Sequence, residues 1–468
     1  MTANVHFAAA DVAAICGGKW LLAPNRAIER FHFDSREVDD GTCFVALKTG
    51  NRDGHDFIAA AQAGGAVAAL VSEPQPHLPL PQLCVEDTLL ALHAIAASHR
   101  KRFSNPLAAI TGSFGKTSTK EMLGCMLGES ITASTPGNWN NHIGVPLSLL
   151  QIIPGRHRYA VIEAGISEPG EMPLLGELAR ASHVLFTGIG PAHLQALGDE
   201  AGVAREKFAL AEYAADNAVL FFPYECLAHA PFRQTKRPCR LLIKEGTHVD
   251  ETLLPAAAEL STYSSRANGN GGRLVSLKLA NRCHLPFSLA SDSEGMAGNA
   301  ALAAMAAHAM GADNTQICTG ASRWQADEKR GQWLTDSNGI RWFVDCYNAN
   351  PTAMRDSLNT FTRATDPRQD KRLFVLGSML ELGSRASALH EAALAQCHFS
   401  ANDAFLLIGE ESLRMAYAKA IVEHGGCSRQ IEQADKIPSA LLGNQCEATC
   451  IFLKGSRSHQ LEQLLTQH

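Results

Sequence analysis

The stretch T-G-S-F-G-K-T at residues 111–117 decides the fold class, because it joins an apolar strand to a helix. The apolar run L-A-A-I at residues 107–110 precedes it, and a helix-like segment at residues 118–127 follows it. A glycine-rich loop between a strand and a helix is typical of phosphate loops in α/β proteins. Ile110 takes the place of the first glycine of the general G-x-x-x-x-G-K-[ST] pattern, so this is a shorter variant. The alternative, an ordinary glycine-rich turn with a solvated lysine, does not explain both flanks.

The residues of this loop have the chemistry that nucleotide phosphates require. Glycines let backbone N–H groups point at phosphate oxygens, Lys116 supplies a positive charge, and the Thr117 hydroxyl can bind Mg²⁺. The sequence therefore predicts nucleotide binding by Gly112, Ser113, Gly115, Lys116, Thr117 and Ser118.

Two further polar residues follow apolar strands of the same segment. Glu163 comes directly after residues 159–162, and His193 lies in the loop after residues 184–187. The carboxyl ends of parallel strands share one edge of a sheet, which is where open α/β sheets bind ligands. Taken singly, Glu163 is an ordinary surface carboxylate and His193 a loop histidine with a satisfied hydrogen bond. Their convergence with the phosphate loop favours a shared site.

Lys207 lies on the apolar side of a predicted helix at residues 202–214. It shares one helical arc with Val203, Leu210 and Ala214, so its side chain is predicted to point inward. A buried ammonium near Mg²⁺ costs desolvation and like-charge repulsion. A neutral amine can instead take up CO₂ to form a carbamate, an oxygen ligand suited to Mg²⁺. The alternative is a lysine whose ammonium reaches solvent.

Length and composition limit the class of protein. The chain has 468 residues, 46% of them hydrophobic and 19% charged, and no run is long enough to cross a bilayer. This length predicts about two to four domains. A net charge of -6 and the absence of a concentrated Lys/Arg tract argue against nucleic acid as a partner.

The termini and cysteines point to one compartment. Residues 1–19 lack the features of a secretory signal. The 13 cysteines are scattered, with Cys446 and Cys450 the closest pair, and are expected to be reduced thiols. We therefore expect a cytoplasmic protein without an integral membrane segment.

The chain divides into three strand-helix series. Asn105-Pro106 breaks the first after a helix predicted at residues 89–103, and a helix at residues 299–310 is expected to close the second. We therefore expect three α/β domains, the second with a mostly parallel sheet and the third Rossmann-like, at residues 1–103, 104–326 and 327–468. Further predicted elements are a helix running into a buried strand at residues 59–71, a hairpin turn at residues 268–272, and third-domain strands at residues 342–345, 373–376, 404–408 and 450–453.

The central motifs together resemble those of the Mur ligases, and the resemblance covers essentially the whole chain. In that family the phosphate loop has the short T-G-x-x-G-K-T form, a glutamate and a histidine help to hold Mg²⁺, and a lysine is carbamylated. The resemblance implies ATP and Mg²⁺ as cofactors, a UDP-binding first domain, an ATP-binding central domain and a Rossmann-like third domain. It implies catalytic roles for Lys116, Glu163, His193 and Lys207, and a metal site of Thr117, Glu163, His193 and the Lys207 carbamate.

Several strings resemble the branch of the family that adds D-alanyl-D-alanine. They are T-P-G-N-W-N-N-H-I-G-V-P-L from Thr135, D-C-Y-N-A-N-P from Asp345 and L-K-G-S-R-S from Leu453. The branches that add the third peptide residue carry a D-Y-A-H-x-P-type string instead, and the D-N-P-R-type string of diaminopimelate readers does not occur. Two positions depart from the pattern: Ser378 replaces an aspartate in G-S-M-L-E-L-G, and a histidine expected shortly before Asn299 is missing.

The resemblance also assigns residues to each substrate. The implied contacts are, for ATP, Asn299, Arg330 and Asp345; for the UDP end, Ser35, Arg36 and Lys48; and for the dipeptide, Tyr347, Asn348, Lys454 and Arg457. Charge-assisted hydrogen bonds would join Arg36 and Lys48 to the diphosphate. Without the resemblance both are solvated surface charges, and the four dipeptide residues suit anchoring of the strand ends nearly as well.

The activity that the resemblance implies is ATP-dependent ligation. ATP would convert the carboxylate of a UDP-linked muramoyl tripeptide into an acyl phosphate, which the amine of D-alanyl-D-alanine would attack to form a pentapeptide of peptidoglycan synthesis. Two alternatives remain: a related amide ligase with another acceptor, and a nucleotide-dependent regulatory protein that joins nothing. The sequence leaves open whether the tripeptide ends in lysine or diaminopimelate, whether D-alanyl-D-lactate is accepted, and which group is the general base. We expect a monomer.

Overall fold

Three β-sheets with helices packed against them organise the chain in the computed structural model, which describes residues 5–434 and 448–467. One large sheet lies in each of the three predicted domains, here called the first, central and C-terminal regions. The α/β class is therefore confirmed, while the domain boundaries stay a prediction. Residues 1–4 of the first region and residues 435–447 and 468 of the C-terminal region lie outside the described residues.

The first region is a small, mostly parallel sheet. Its elements are α1 (Ala9–Cys16), β1 (Lys19–Trp20), β2 (Arg30–His32), β3 (Thr42–Val45), β4 (Lys48–Thr49), β5 (Arg52–Asp53), α2 (Ile58–Ala63), β6 (Ala68–Val71), β7 (Gln82–Cys84) and α3 (Thr88–Arg100). The sheet order is β1-β7-β6-β3-β2, with only β1 antiparallel to its neighbour, and β4 pairs with β5 separately. The helix and buried strand predicted at residues 59–71 are confirmed as α2 and β6.

The central region contains the largest sheet. Its elements are β8 (Leu107–Thr111), α4 (Lys116–Leu127), β9 (Thr132–Ser134), α5 (Gly144–Leu150), β10 (Tyr159–Glu163), α6 (Glu171–Ala179), β11 (His183–Phe186), α7 (Leu194–Leu197), α8 (Glu200–Glu212), β12 (Val219–Pro223), α9 (Ala230–Arg233), β13 (Cys239–Lys244), β14 (Ala258–Ala267), β15 (Arg273–Lys278), β16 (His284–Leu289), α10 (Glu294–Ala309) and α11 (Asn314–Arg323). The order is β16-β15-β14-β13-β12-β11-β8-β10-β9. Strands β8 to β14 run parallel, and β14, β15 and β16 form an antiparallel meander that contains the predicted hairpin.

Strands β11, β8 and β10 lie side by side in this sheet, near its β9 edge. In their register Glu163 lies beside Ile110, and Phe186 lies beside Thr111. The three strands therefore end at the same edge, as the sequence predicted for the phosphate loop, Glu163 and His193.

The last helices of the central region differ from the prediction. The helix predicted at residues 299–310 begins earlier, at Glu294, because the Ser293 side chain accepts a hydrogen bond from the Met296 backbone N–H and caps its first turn. It also does not close the region. Helix α11 follows Gly311, and both helices pack against α4.

Helix α3 connects the first region to the central one. The side chain of His93 lies 2.6 Å from the carbonyl oxygen of His142, and that of His99 lies 2.7 Å from the carbonyl oxygen of Ile152. Arg100 donates to the carbonyl oxygen of Ala179 at 2.7 Å. These contacts tie the last two turns of α3 to the central region and explain why this helix carries buried polar side chains.

The C-terminal region is built around one mostly parallel sheet, as expected for the Rossmann-like third domain. Its elements are β17 (Gln332–Thr335), β18 (Arg341–Val344), α12 (Pro351–Ala364), β19 (Arg372–Gly377), α13 (Ala386–Leu394), β20 (Ala404–Ile408), α14 (Glu411–Glu423), β21 (Ile431–Ala434) and β22 (Cys450–Lys454). The order is β17-β18-β22-β19-β20-β21, and only β17 runs antiparallel to its neighbour. A buried ion pair, Arg372 with Asp403 at 2.6 Å, joins the start of β19 to the loop before β20.

Two further expectations concern the chain as a whole. All twelve cysteines within residues 5–434 and 448–467 are free thiols, while Cys446 lies outside these ranges. Among the same residues no helix has both the length and the apolar character needed to cross a bilayer.

Candidate active site

The phosphate loop joins the end of β8 to the start of α4. Gly112 and Gly115 have φ angles of 152° and 73°, which L side chains rarely adopt. A Cβ atom at Gly112 would lie 2.1 Å from the Thr187 hydroxyl oxygen, and one at Gly115 would lie 2.5 Å from Asn299 Nδ2. Both positions therefore require glycine for conformation and for space.

The start of α4 is arranged to bind an anion. Backbone N–H groups in the first turn of a helix lack partners within the helix and carry partial positive charge. Lys116 adds an ammonium, which here donates to the Gly112 carbonyl oxygen at 2.9 Å. Burial lowers the pKa of Lys116, while the carboxylate of Glu163 acts in the opposite direction. The loop can thus surround phosphate oxygens with donors and one cation.

Glu163 lies at the end of β10, directly beside the loop, and is 1% exposed. Its Oε1 accepts hydrogen bonds from the Thr117 hydroxyl at 3.2 Å and from Asn140 Nδ2 at 2.7 Å. Its Oε2 has no hydrogen-bond partner among the described residues and lies 3.9 Å from the Lys120 ammonium. A buried carboxylate with one unbonded oxygen can accept a further cationic ligand.

Lys207 in α8 is completely buried, at 0% exposure, which confirms the inward orientation predicted from its helical spacing. Its Nζ has no hydrogen-bond partner within the described part of the chain. Burial lowers the pKa of the amine well below its ordinary value, and the charge of Lys116 lowers it further, while Glu206 opposes this. A buried lysine of this kind favours the neutral amine.

His193 occupies the loop between β11 and α7 with a φ of 54°, unusual for a residue with a side chain. Its Nδ1 lies 2.5 Å from Glu381 Oε2, in the C-terminal region. Burial lowers the pKa of the imidazole and the charge of Lys207 lowers it further, while the Glu381 carboxylate acts against both.

The C-terminal region contributes two arginines that lie near the ring of Tyr347. The Arg330 guanidinium lies 3.8 Å from the centre of the Tyr347 ring, and the Arg457 guanidinium lies 5.8 Å from it. Such contacts fix a guanidinium without neutralising its charge. Arg330 can therefore still bind an anionic group, whereas the Arg457 guanidinium is also paired with the Glu462 carboxylate.

Asp345 and Lys454 form an ion pair at the ends of β18 and β22. The ammonium lies 2.5 Å from the Asp345 carboxylate and also donates to the carbonyl oxygen of Asn348 at 3.4 Å. The Ser357 hydroxyl donates to the same carboxylate. Because Lys454 is 1% exposed and its ammonium is already bonded, this geometry favours the anchoring role for it.

Most of these groups line one cleft of about 540 Å³ between the central and C-terminal regions, whereas Gly112 and the fully buried Lys207 are not among its lining residues. Asn350 bridges the two walls, because its Nδ2 donates to the Ser113 carbonyl oxygen at 3.2 Å. The cleft brings together most of the predicted site: Ser113, Gly115, Lys116, Thr117, Ser118, Glu163, His193, Asn299, Arg330, Asp345, Tyr347, Asn348, Lys454 and Arg457.

The residues predicted for the UDP end lie apart from this cleft, in the first region. The Arg36 guanidinium pairs with Asp34 at 2.6 Å, and the Lys48 ammonium pairs with Asp53 at 3.3 Å and also with Glu73. Ser35 stands directly before Arg36 in the same exposed turn. Their assignment to the diphosphate stays a prediction, and binding there would have to replace these ion pairs.

Ser378 stands where the related pattern has an aspartate, directly after β19. It is 1% exposed, and its hydroxyl lies 3.0 Å from His459 Nε2. A Cβ atom at Gly409 would lie 2.2 Å from the same hydroxyl. A neutral hydroxyl-imidazole pair thus occupies this position in a closely packed site.

Comparison with known proteins identifies the family. The Mur ligase middle domain matches residues 110–306, and the Mur ligase glutamate ligase domain matches residues 329–457. The UDP-N-acetylmuramoyl-tripeptide–D-alanyl-D-alanine ligase of Escherichia coli is 30% identical over 436 residues, which cover 92% of this chain and 92% of the relative. The chain belongs to the Mur ligase family. A relative of the same name from Bacillus subtilis is 28% identical to this Mur ligase over 92% of the chain and 91% of the relative.

Solved structures agree with this assignment. A MurF crystal structure from Acinetobacter baumannii superimposes on this Mur ligase with a TM-score of 0.82 at 26% identity, covering 99% of each chain. MurF ligase from Thermotoga maritima, solved in complex with ADP, has the same fold, with a TM-score of 0.73 at 24% identity over 94% of this chain and 96% of that one. The predicted family and three-part α/β fold are confirmed, and this Mur ligase is an amide-forming ligase.

Three residues of the site were not predicted. Asn140 bonds to Glu163, and Glu381 contacts His193; both lie within quoted strings, T-P-G-N-W-N-N and G-S-M-L-E-L-G, but neither was assigned a role. Asp356 of α12 also lines the cleft of this Mur ligase and accepts hydrogen bonds at the start of α10. Nothing in the sequence around Asp356 signals this contact, because its partners lie more than 60 residues away.

Proposed function

We propose that this Mur ligase uses ATP to join D-alanyl-D-alanine to UDP-N-acetylmuramoyl-tripeptide, forming the UDP-linked pentapeptide of peptidoglycan synthesis. The observation that carries the proposal is the contact of the D-C-Y-N-A-N-P stretch with the phosphate loop, made by Asn350 and Ser113. The string that resembles the D-alanyl-D-alanine-adding branch thus lies where the nucleotide phosphates would bind. Relatives with this activity in their names, spanning over 90% of both chains, support it.

The chemistry requires activation of a carboxylate. Hydroxide is a poor leaving group, so the tripeptide carboxylate first takes the γ-phosphoryl group of ATP to give an acyl phosphate and ADP. The dipeptide amine then attacks the acyl carbon, the C–N bond forms, the C–O bond to phosphate breaks, and the amine loses a proton. Positioning and charge stabilisation supply most of the catalysis in phosphoryl transfer.

The two walls of the cleft contribute different groups to phosphate binding and charge stabilisation. Backbone N–H groups of the phosphate loop and the Lys116 ammonium hold the nucleotide phosphates, for which Lys116 exchanges its present contact with Gly112. Arg330, fixed on Tyr347, brings a second cation from the opposite wall. Negative charge that develops on the transferred group is therefore stabilised from both walls of the cleft.

Mg²⁺ fits the donor set beside the loop. The fit rests on the Glu163 oxygen that is buried without a hydrogen-bond partner, while the other oxygen is held by Thr117 and Asn140. When bound there, a divalent cation offsets negative charge on the phosphate oxygens. The residues that would hold it are Thr117, Glu163, His193 and a carbamate on Lys207.

The carbamate proposal rests on the buried, unpaired amine of Lys207 and its lowered pKa. In carbamate formation the neutral amine attacks CO₂, an N–C bond forms and a proton leaves, so that the side chain becomes an anionic oxygen ligand. Lys207→Ala is expected to lose ligation and to regain part of it with formate or acetate. Lys116→Ala is the control, since a small carboxylate does not replace its cation. Full activity of untreated Lys207→Ala would contradict the carbamate.

The deciding experiment measures phosphate release together with product mass. Purified protein is mixed with ATP, Mg²⁺, UDP-muramoyl tripeptide and D-alanyl-D-alanine, and each component is omitted in turn. Pentapeptide formed only in the complete mixture, and lost in Lys116→Ala, is the expected result. Phosphate release without any amine would favour the regulatory alternative, and product with another acceptor would overturn the substrate assignment. Parallel reactions with lysine and diaminopimelate tripeptides, and with D-alanyl-D-lactate, determine the remaining specificity.

We also propose that the protein acts as a monomer in the cytoplasm. The consumption of ATP supports the compartment, and a cleft whose walls come from a single chain supports the monomer. Sedimentation of the active protein tests the second point, and a stable dimer would overturn it.

A further inference from the structure

The C-terminal region contacts the loop that carries His193 in three different ways. The Glu381 carboxylate lies 2.5 Å from His193 Nδ1. The backbone N–H of Gln195 donates to the Glu381 carbonyl oxygen at 3.1 Å. Leu194, 4% exposed, belongs to the same buried apolar cluster as Met379 of the C-terminal region. Electrostatic, backbone and apolar contacts therefore converge on two adjacent residues of α7 and on the histidine before them.

Both members of the charged contact have an unusual backbone. His193 has a φ of 54° and Glu381 a φ of 64°, although neither is glycine. Such conformations are strained for residues other than glycine and persist only where the surroundings enforce them. Here the helix start at Leu194 and the backbone bond from Gln195 provide that enforcement. The two side chains are thus brought together at a cost in backbone energy.

We propose that Glu381 is a positioning residue that orients the imidazole of His193. The inference rests on the role proposed for His193 in the active site. A carboxylate that accepts the Nδ1 proton selects one tautomer of the ring and leaves Nε2 with its lone pair free. Because Glu381 belongs to the C-terminal region, the orientation of His193 depends on that region being docked. The C-terminal region therefore supplies the carboxylate that orients His193 of the central region.

The contact between Glu381 and His193 is close, but it is not aligned as a hydrogen bond. The two atoms are 2.5 Å apart, yet Nδ1 has no aligned hydrogen bond. Catalytic hydrogen bonds are often poorly aligned in the absence of substrates and tighten in the reacting complex.

A purely structural role for Glu381 is the competing explanation, and the same interface contains a matched control. Arg385 of the C-terminal region pairs with Glu200 of α8 at 3.6 Å, without touching His193. Glu200→Gln therefore removes an ion pair between the same two regions. If Glu381 only attaches the regions to each other, both substitutions have similar effects.

The experiment records ¹⁵N spectra of imidazole-labelled protein without nucleotide at pH 8, where an ordinary histidine is neutral. The His193 signals are assigned by their loss in His193→Gln. Wild type and Glu200→Gln are expected to show the Nδ1–H tautomer, and Glu381→Ala is expected to lose it. In the ligation assay Glu381→Ala should lower kcat by about 10–100-fold, the range known for residues that orient metal-binding histidines, with KM for D-alanyl-D-alanine unchanged.

Three outcomes would overturn the proposal. One is an unchanged tautomer in Glu381→Ala, a second is an unchanged kcat, and a third is an equal loss of kcat in Glu200→Gln. If Glu381→Ala does not fold, Glu381→Gln, which keeps the size of the side chain, is judged by the same spectra and kinetics. The tautomer is measured without substrates, so it reports on the contact even if wild-type protein makes no pentapeptide. A wild-type protein that makes no pentapeptide would refute the proposed function and not the contact.

Discussion

Replacement of Gly115 by alanine tests how closely the phosphate loop is packed. At this position φ is 73°, and an added Cβ would lie 2.5 Å from Asn299 Nδ2 and 2.9 Å from its Oδ1. The left-handed backbone costs an alanine about 1–2 kcal/mol. Overpacking against a buried side chain costs typically about 1–3 kcal/mol more. We expect Gly115→Ala to destabilise the loop by about 2–5 kcal/mol in total.

The two contributions separate in a double-mutant cycle. Asn299→Ala removes the amide that the new Cβ would meet, so that Gly115→Ala in this background should cost only the backbone part, about 1–2 kcal/mol. The difference between the two backgrounds, about 1–3 kcal/mol, measures the steric contact. Gly246 supplies a control, because its φ is 90° but no atom lies within 4 Å of an added Cβ. Gly246→Ala should therefore show the backbone cost without any dependence on Asn299.

Hydrogen exchange is the suitable assay, because a protein of several regions does not have to unfold in one step. Amides of α4 report the local opening free energy of the loop and helix, and amides next to Gly246 report the control. Equal costs of Gly115→Ala with and without Asn299 would refute the steric argument. A cost no larger than that of Gly246→Ala would refute it as well.

Two further predictions concern ion pairs away from the cleft. Arg372→Met leaves the buried Asp403 carboxylate without its cation and should destabilise the C-terminal region by about 3–5 kcal/mol in urea unfolding, whereas the double variant with Asp403→Leu should recover most of this loss. Arg36 lowers the pKa of Asp34 to about 2 from 3.8, so the contact stabilises the protein above about pH 4 and the contribution is lost as the pH falls toward 2. Because the Arg36 side chain is largely exposed, solvent screens the contact and this contribution to stability is small. Arg36→Met should raise the pKa of Asp34 toward 3.8 in a carboxyl ¹³C titration, and an unmoved pKa would contradict the pairing.

The buried parallel strands were predictable because nearly every one of their residues is apolar. The run at residues 404–408 became β20 with the same bounds, and the runs at 107–110 and 159–162 each extend by one residue, to Thr111 and Glu163. Parallel strands covered on both faces produce such continuous runs, whereas the partly exposed strand β17 does not. Burial on both faces of the sheet is thus the physical reason why these strands could be predicted from the sequence.

The start of α10 was missed for an equally physical reason. Gly295 and Gly298 lie in its first turns and lower its intrinsic helix propensity. The structure shows why they are small: an added Cβ would lie 2.9 Å from the Asp356 carboxylate at the first position and 3.0 Å from the Tyr263 hydroxyl at the second. Both neighbours are distant in sequence. Local propensity therefore opposes the helix, and tertiary packing requires both the helix and the glycines.

The same distinction holds in the site. The phosphate loop, Glu163 and the inward side chain of Lys207 follow from strand ends and helical spacing, which are local properties. The pairing of His193 with Glu381 joins two regions and depends on how the C-terminal sheet docks on α7. A sequence string can draw attention to such a residue, but only the docked structure identifies its partner.

The electrostatics of the cleft explain why these distant residues have to meet. Burial lowers the pKa of Lys116, Lys207 and His193, and each also feels a neighbouring cation: Arg330 acts on Lys116, Lys116 on Lys207, and Lys207 on His193. Each of these effects disfavours the charged form of the group on which it acts, which agrees with a neutral amine at Lys207. An anion in the cleft would meet the positive charges of Lys116 and Arg330, which the folded protein already holds on the two walls. The C-terminal region supplies Arg330 to the cleft and Glu381 to His193, so both the charge of the cleft and the contacts of this histidine depend on how that region is docked.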